Sequence, residues 1–230
     1  MSEIVRVRQA LEAQKKLEQD FVEEARRLET APKGWPAALN MFHIGMWRER
    51  MRKSLSDLSD GREVTPPPED ANVVNDEELA YGIGTPLADA AARSEHLLGE
   101  IMDLYDWLGD RPFQWYRNKS TTEAVLGNSF NHPRGHLYSY LRENGELERA
   151  NQLLEDGVAL LREVNAPPLQ LGAALYNLAC AQVYSGRLDD ALVLLVETFA
   201  ISPDLKEKAP KDSDLEALHD DARLKALIAG

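Results

Sequence analysis

The chain has 230 residues, of which 43% are hydrophobic and 28% are charged, and these values are ordinary for a folded globular protein. Its net charge of -13 argues against the lysine- and arginine-rich surface that nucleic-acid binding requires. The single cysteine leaves no internal disulfide, and no apolar run resembles a membrane helix or a signal peptide. We therefore expect a cytoplasmic protein that binds neither nucleic acid nor a membrane.

Two amphipathic helices are predicted at the start of the chain, from Ile4 to about Leu28 and from Pro36 to about Leu58, because apolar residues recur there at helical spacing. The second helix carries His43 within its apolar stripe. A basic cluster follows, which we interpret as a solvated helix face, with binding of an anionic substrate as the alternative. Its members are Arg48, Arg50, Arg52 and Lys53.

A long connection from Asp60 to Pro86 separates the second helix from the third. Its length favours a crossover or an active-site cover over a tight hairpin, with a short helical turn near Asp76–Tyr81. A third helix is predicted over Leu87–Leu108 and a fourth over Thr121–Glu143, capped by one of its first two threonines. No stretch up to Glu143 predicts a strand, so we expect an all-α four-helix bundle of the up-down kind over residues 1–145.

A repeated pattern follows the bundle. Its two copies, about forty residues apart, resemble the tetratricopeptide repeat, whose paired helices meet at a glycine turn and a small alanine contact. The copies are Leu137-Tyr138-x2-Leu141-x3-Gly145-x-Leu147-x2-Ala150-x3-Leu154 and Leu178-Ala179-x6-Gly186-x-Leu188-x2-Ala191-x3-Leu195. We therefore predict tetratricopeptide-like helix hairpins over residues 146–230, closed by a capping helix or helix pair between Leu205 and Ile228. Such a region could take a peptide or protein partner, or form a homodimer interface.

Three histidines are the strongest functional signal. His132 and His136 are four residues apart and so share one face of the fourth helix, and His43 lies on a neighbouring helix. Three imidazoles with open positions beside them are typical of a catalytic metal site. Pro133 should bend the helix that carries two of them. The alternative is a hydrogen-bonded histidine pair together with a satisfied core histidine.

The segment over residues 5–145 resembles the DinB/YfiT-like superfamily of four-helix bundles, and within it the ClbS/DfsB-like branch. The superfamily resemblance rests on His43-x3-Trp47-x2-Arg50 and Asn131-His132-x3-His136-x-Tyr138. The branch resemblance rests on Arg111-Pro112-Phe113 and Gly127-Asn128-Ser129-Phe130-Asn131-His132. The resemblance implies that His43, His132 and His136 bind a divalent metal ion, zinc or nickel, through Nε2. It also implies chemistry that uses a low-molecular-weight thiol or water.

Further side chains are candidates for the site by their position near the histidines. Trp47 and Trp115 are expected to line a pocket, Arg50 to bind an anionic group of the substrate, and Asn128 and Asn131 to orient the ligands. The alternative for the tryptophans is that all four are core residues, namely Trp35, Trp47, Trp107 and Trp115. We interpret Cys180 as a core residue too. We interpret His96 and His219 as surface residues. No residue is assigned as a general base.

These observations lead to two hypotheses of function. The first is a metal-dependent enzyme that acts on a small electrophilic substrate by thiol transfer or hydrolysis. The second is a non-catalytic interaction or scaffold protein of the tetratricopeptide type, with a vestigial histidine site. We favour the enzyme, and expect a homodimer.

Overall fold

Helices form almost all of the regular structure in the computed structural model, which describes residues 2–28 and 33–229. The predicted all-α fold class is therefore confirmed. The chain divides into two compact units, residues 1–145 and 146–230. No helix in the described part of the chain is both long enough and apolar enough to cross a bilayer.

The first unit contains four long helical segments, a short helical crossover and one β-hairpin. The helices are α1 (Glu3–Leu28), α2 (Ala37–Ser59), α3 (Ala71–Glu78), α4 (Leu87–Leu108), α5 (Thr121–Leu126) and α6 (His132–Glu143). A 3-10 turn covers Leu79–Gly82, a π-helical turn covers Gly127–Asn131, and the antiparallel strands are β1 (Pro112–Trp115) and β2 (Asn118–Ser120).

The four long segments run up, down, down and up, with α5 and α6 forming the last one, so the expected up-down alternation is wrong at the third segment. Helices α2 and α4 are therefore parallel, and residues 60–86 form the crossover between them that the length of this connection predicted. The contacts that set these directions are Arg8–Asp106 and Lys15–Glu95 for α1 with α4, Gly45–Ser94 and Arg52–Glu100 for α2 with α4, and Glu3–Thr122 and Phe21–Tyr140 for α1 with the last segment.

The interpretation of the basic cluster after His43 as a solvated helix face is wrong for its first member. Arg48 is fully buried and makes a bidentate ion pair with Glu18 on α1, with both N···O distances at 2.7 Å. Its guanidinium also donates to the Ser94 hydroxyl on α4 at 2.8 Å. A buried charge needs such partners, because water is excluded from it.

The region before α6 differs from the expected single helix. Phe113 and Trp115 turn into the core from one face of β1, so the prediction of no strands is wrong there. The cap is Ser120, whose hydroxyl accepts from the Glu123 N–H at 3.3 Å, whereas the Thr121 hydroxyl donates to the Gly109 carbonyl. The π-helical turn then separates α5 from α6.

The tryptophans do not all lie in the core. Trp47 and Trp115 are buried and Trp35 is half-buried, but Trp107 is 73% exposed on α4, so its core assignment is wrong. His96 is exposed as predicted, whereas His219 is half-buried and bonds the Ala209 carbonyl at 3.2 Å.

The second unit consists of three helices and a tail of short helical segments. The three helices are α7 (Leu147–Glu163), α8 (Pro168–Tyr184) and α9 (Leu188–Ile201), and the tail contains α10 (Leu205–Lys208), α11 (Ala222–Ala229) and 3-10 turns at Ala209–Lys211 and Ser213–Leu218. Gly186 takes φ +75° in the turn between α8 and α9, a conformation that favours glycine. The tail is more broken than a single capping helix or pair.

Leucines of the tail complete the core of this unit. Leu215, Leu218 and Leu224 are buried in one cluster with apolar residues of α8 and α9. Cys180 packs against the same cluster, and burial raises the pKa of its thiol to about 12. Its role as a packing residue agrees with this position.

Helix α4 keeps its predicted bounds, because buried residues recur along it at helical spacing and a glycine ends it. Gly109 takes φ +63° and ψ -162°, and its N–H bonds the Tyr105 carbonyl at 2.7 Å. Residues with a Cβ rarely adopt this conformation. In contrast, a Cβ added at Gly99, in the middle of the same helix, would meet no atom within 4 Å.

These two glycines should respond oppositely to alanine. We expect Gly109→Ala to lower the free energy of unfolding by about 1–3 kcal/mol through backbone strain. Gly99→Ala should raise it by about 0.5–1 kcal/mol, because alanine loses less backbone entropy in a helix. Urea unfolding followed by circular dichroism measures both, and equal effects of the two changes would contradict this account of how α4 ends.

Candidate metal centre

The three predicted histidines meet at one point between α2 and α6. The Nε2 atom of His132 lies 3.1 Å from Nε2 of His43 and 3.0 Å from Nε2 of His136. Within the described residues, these three form the one group of potential metal ligands, with all ligand atoms within 4.8 Å of one another. His43 is buried, and the other two are half-buried.

The spacing of the nitrogens suits a single metal ion. Two nitrogens each about 2.05 Å from an ion lie roughly 2.9 Å apart at a right angle and about 3.3 Å apart at the tetrahedral angle. The two observed distances, 3.0 and 3.1 Å, fall between these values. Each of these two nitrogen pairs therefore has the spacing of two ligands of one ion, and the ligand atoms of all three imidazoles lie within 4.8 Å of one another.

Hydrogen bonds among the rings are a poorer explanation of this contact. A neutral imidazole Nε2 has either one N–H or one lone pair in the ring plane, so Nε2 of His132 cannot bond well to both neighbours. An ion would use all three Nε2 lone pairs at once. The Nδ1 atom of His43 makes no hydrogen bond, so the usual outer partner of a metal-bound histidine is absent there, whereas the main chain of Asn128 interacts with the His132 ring.

All three imidazoles are held in the neutral form that a metal needs. Burial, and then the charge of His136, lowers the pKa of His43 to about 3. Burial lowers the pKa of His136 to about 4. The pKa of His132 is well below its usual range, through burial first and then the charges of His136, His43 and Arg48, and is opposed only by the main chain of Asn128.

The π-helical turn sets where His132 begins α6. The His132 N–H bonds the Gly127 carbonyl, five residues back, instead of the carbonyl of Asn128. The Asn128 side chain donates to the Trp47 carbonyl on α2 at 3.1 Å, so it orients the turn rather than a ligand ring directly. Asn131 is the half-buried last residue of the turn, and its role as an orienting residue remains a prediction.

Two indole rings enclose the histidines. Trp35 stacks on His136 with ring centroids 5.7 Å apart and meets His43 edge to face at 5.3 Å. Trp47 lies against His43 and His132, with both centroid distances at 6.4 Å. Trp35 is a site residue that sequence reasoning missed, because nothing in the sequence places a residue of the segment preceding α2 beside a ring on α6.

The next residues outward from Trp47 are polar and aromatic. The Arg50 guanidinium lies over the Trp47 ring at 5.4 Å and pairs with Glu78 of the crossover at 2.5 Å, so its charge is already partnered. The Trp47 indole N–H donates to Asn75 of α3 at 3.0 Å. Both contacts hold the crossover beside the site. This is the position that an active-site cover would need.

Tyr116 is the second site residue that sequence reasoning missed. Its ring centroid is 6.5 Å from that of Trp47, and it takes φ +51°, which is strained for a bulky residue. Burial raises the pKa of its hydroxyl, and the charge of Arg50 opposes that shift. Trp115 lies one ring further out, 5.9 Å from Tyr116.

Comparisons with protein-family models, with curated proteins and with solved structures find no match to this chain.

The histidines should make metal-free protein sensitive to mild acid. Because their folded pKa values lie below the usual 6.5, the unfolded state binds more protons below that pH. The stability present above pH 6.5 is therefore lost as the pH falls towards about 4. Between pH 6.5 and 5, we expect His136 to account for up to about 2 kcal/mol of the decrease in the free energy of unfolding.

Urea unfolding of chelator-treated protein at several pH values measures this decrease. The His136→Gln variant should show a shallower dependence on pH, and the matched variant His96→Gln, at an exposed histidine, should not. A His136→Gln protein with the same pH dependence as the parent would show that this ring is not held neutral.

Proposed function

We propose that this protein is a divalent-metal-dependent enzyme that acts on a small electrophilic substrate by thiol transfer or hydrolysis. The observation that carries the proposal is the convergence of three imidazoles between α2 and α6, with Nε2 of His132 3.1 Å from Nε2 of His43 and 3.0 Å from Nε2 of His136. Three protein ligands leave coordination positions for water, a thiol or a substrate, which distinguishes catalytic from structural zinc sites.

The donor set narrows the choice of metal. His43, His132 and His136 offer imidazole nitrogen only, and no described carboxylate or thiol belongs to the group. Nitrogen ligands of this kind suit zinc and nickel, which we propose as the resident ions. When bound, such an ion lowers the pKa of a coordinated water or thiol and so supplies a nucleophile at neutral pH.

The surrounding residues support this chemistry by shaping the site. Trp35 and Trp47 cover the rings and limit access of bulk water to them. Tyr116 and Arg50 adjoin Trp47, and we propose that they contact the substrate there. Tyr116 begins the two-residue turn between β1 and β2, where a hairpin takes a positive φ, and this turn places its ring beside Trp47.

Membership of the DinB/YfiT-like superfamily, and of its ClbS/DfsB-like branch, is part of the same proposal. Its support is the residue pattern around the three histidines together with their convergence. The use of a low-molecular-weight thiol and the homodimer are proposed on this resemblance.

Metal content tests the site directly. Protein loaded with Zn²⁺ or Ni²⁺ and then desalted should retain about one ion per chain by elemental analysis. The His132→Ala variant should bind the ion more than about 100-fold more weakly, a larger loss than removal of an orienting residue causes. His96→Ala provides the control and should retain the ion, while unchanged metal content in His132→Ala would refute the site assignment.

Turnover tests the reaction. The zinc and nickel forms should consume a small thiol in the presence of an epoxide or an activated aryl halide, or hydrolyse an activated ester. Activity should require the metal and fall by at least about 100-fold in His132→Ala, because the nucleophile is then no longer activated. Metal-loaded protein that binds such electrophiles but never converts them would contradict the enzyme hypothesis.

A second candidate function is that of an interaction protein of the tetratricopeptide type. It is favoured by apolar residues left exposed in the second unit, namely Tyr184, Val193 and Val196, which are 61%, 70% and 52% exposed. A peptide or protein partner would bind through residues 146–230, with the histidines vestigial.

A further inference from the structure

Pro133 leaves one carbonyl of the turn before His132 without its usual helical hydrogen-bond donor. In a regular α-helix the Ser129 carbonyl would accept from the N–H of residue 133, but proline has none. The backbone instead widens into the π-helical turn Gly127–Asn131, in which the His132 N–H bonds the Gly127 carbonyl. Turns of this type occur mostly at functional sites.

Arg48 supplies the donor that the proline lacks. Its Nη2 atom lies 3.3 Å from the Ser129 carbonyl, while the same guanidinium is held by the Glu18 carboxylate and the Ser94 hydroxyl. Arg48 is 0% exposed, so no water competes for these bonds. The guanidinium therefore joins the π-helical turn to α1, α2 and α4.

A second hydrogen bond joins the π-helical turn to α2, the helix that carries Arg48. The Asn128 side chain donates to the Trp47 carbonyl at 3.1 Å and accepts from the Ser129 hydroxyl at 2.9 Å. Trp47 and Arg48 thus hold two adjacent residues of the turn. They lie about one helical turn beyond His43, so the helix that provides one ligand also positions the segment that provides another.

We propose that Arg48 is a positioning residue of the metal centre: by bonding the Ser129 carbonyl it maintains the π-helical turn and directs His132 towards His43. This inference rests on the proposed metal site. Arg48 touches neither substrate nor metal, and its effect on metal affinity acts through the turn. A role in packing alone would leave the geometry of the bound metal unchanged once the protein is folded.

The test compares Co²⁺ binding by the full chain and by the Glu18→Gln/Arg48→Met double variant. Changing both partners avoids an unpaired buried charge, and such replacements are often tolerated. We expect a folded protein that binds Co²⁺ about 10–100-fold more weakly, the usual effect of losing an orienting residue. Its visible absorption spectrum at saturation should also change, because His132 no longer approaches at the same angle.

The control is Glu100→Gln/Arg52→Met, which removes an ion pair between α2 and a different helix, α4, at 3.7 Å, without touching the turn. It should keep the parental affinity and spectrum. Parental affinity and spectrum in the Glu18→Gln/Arg48→Met protein would overturn the inference.

A conservative variant, Arg48→Lys, tests the same inference if the double variant does not fold. An ammonium group at this position would keep the charge opposite Glu18 but cannot make all the bonds of the guanidinium fork, so this variant should also change the Co²⁺ spectrum and weaken binding. If the double variant does not fold, a parental spectrum in Arg48→Lys overturns the inference. Absence of Co²⁺ and Zn²⁺ binding in the parent protein would instead overturn the metal site, and the inference with it.

Discussion

The first unit depends on one buried ion pair, between Arg48 and Glu18. Removing a guanidinium and a carboxylate from water is costly, so the pair persists only where further donors and acceptors complete it. Here the Ser94 hydroxyl and the Ser129 carbonyl accept from the Nη atoms of the guanidinium, while its Nε atom has no hydrogen-bond partner. The requirement to satisfy one charge therefore determines how α1, α2, α4 and the π-helical turn lie against each other, whatever its net effect on stability.

The histidine site follows from that arrangement. The helix that carries Arg48 also carries His43, and the turn that Arg48 contacts leads directly into His132 and His136. Enclosure by Trp35 and Trp47 lowers the pKa values of the rings, because burial disfavours their charged forms. Below pH 6.5 the site can thus accept a cation without first losing protons, which a histidine cluster in water could not do.

Several features followed from local sequence signals, and others did not. Strong helical periodicity and an ending glycine gave the bounds of α4, and the length of residues 60–86 indicated the crossover. The β-hairpin was missed because its strands are only four and three residues long. Trp107 was misplaced because residue type alone does not decide which face of a helix a tryptophan occupies, and Arg48 because its partners are distant in sequence.

The sequence by itself determined the all-α class, because helical periodicity is a property of neighbouring residues. It also indicated which three histidines could share a site, because a spacing of four residues places His132 and His136 on one helix face and His43 lies in the apolar stripe of another helix. Only the tertiary structure decided that their Nε2 atoms converge, that Trp35 and Tyr116 join them, and that a π-helical turn presents His132. Each of these depends on contacts between segments far apart in the chain. Such contacts arise from packing and from the partners that buried polar groups require, and neither can be read from local spacing.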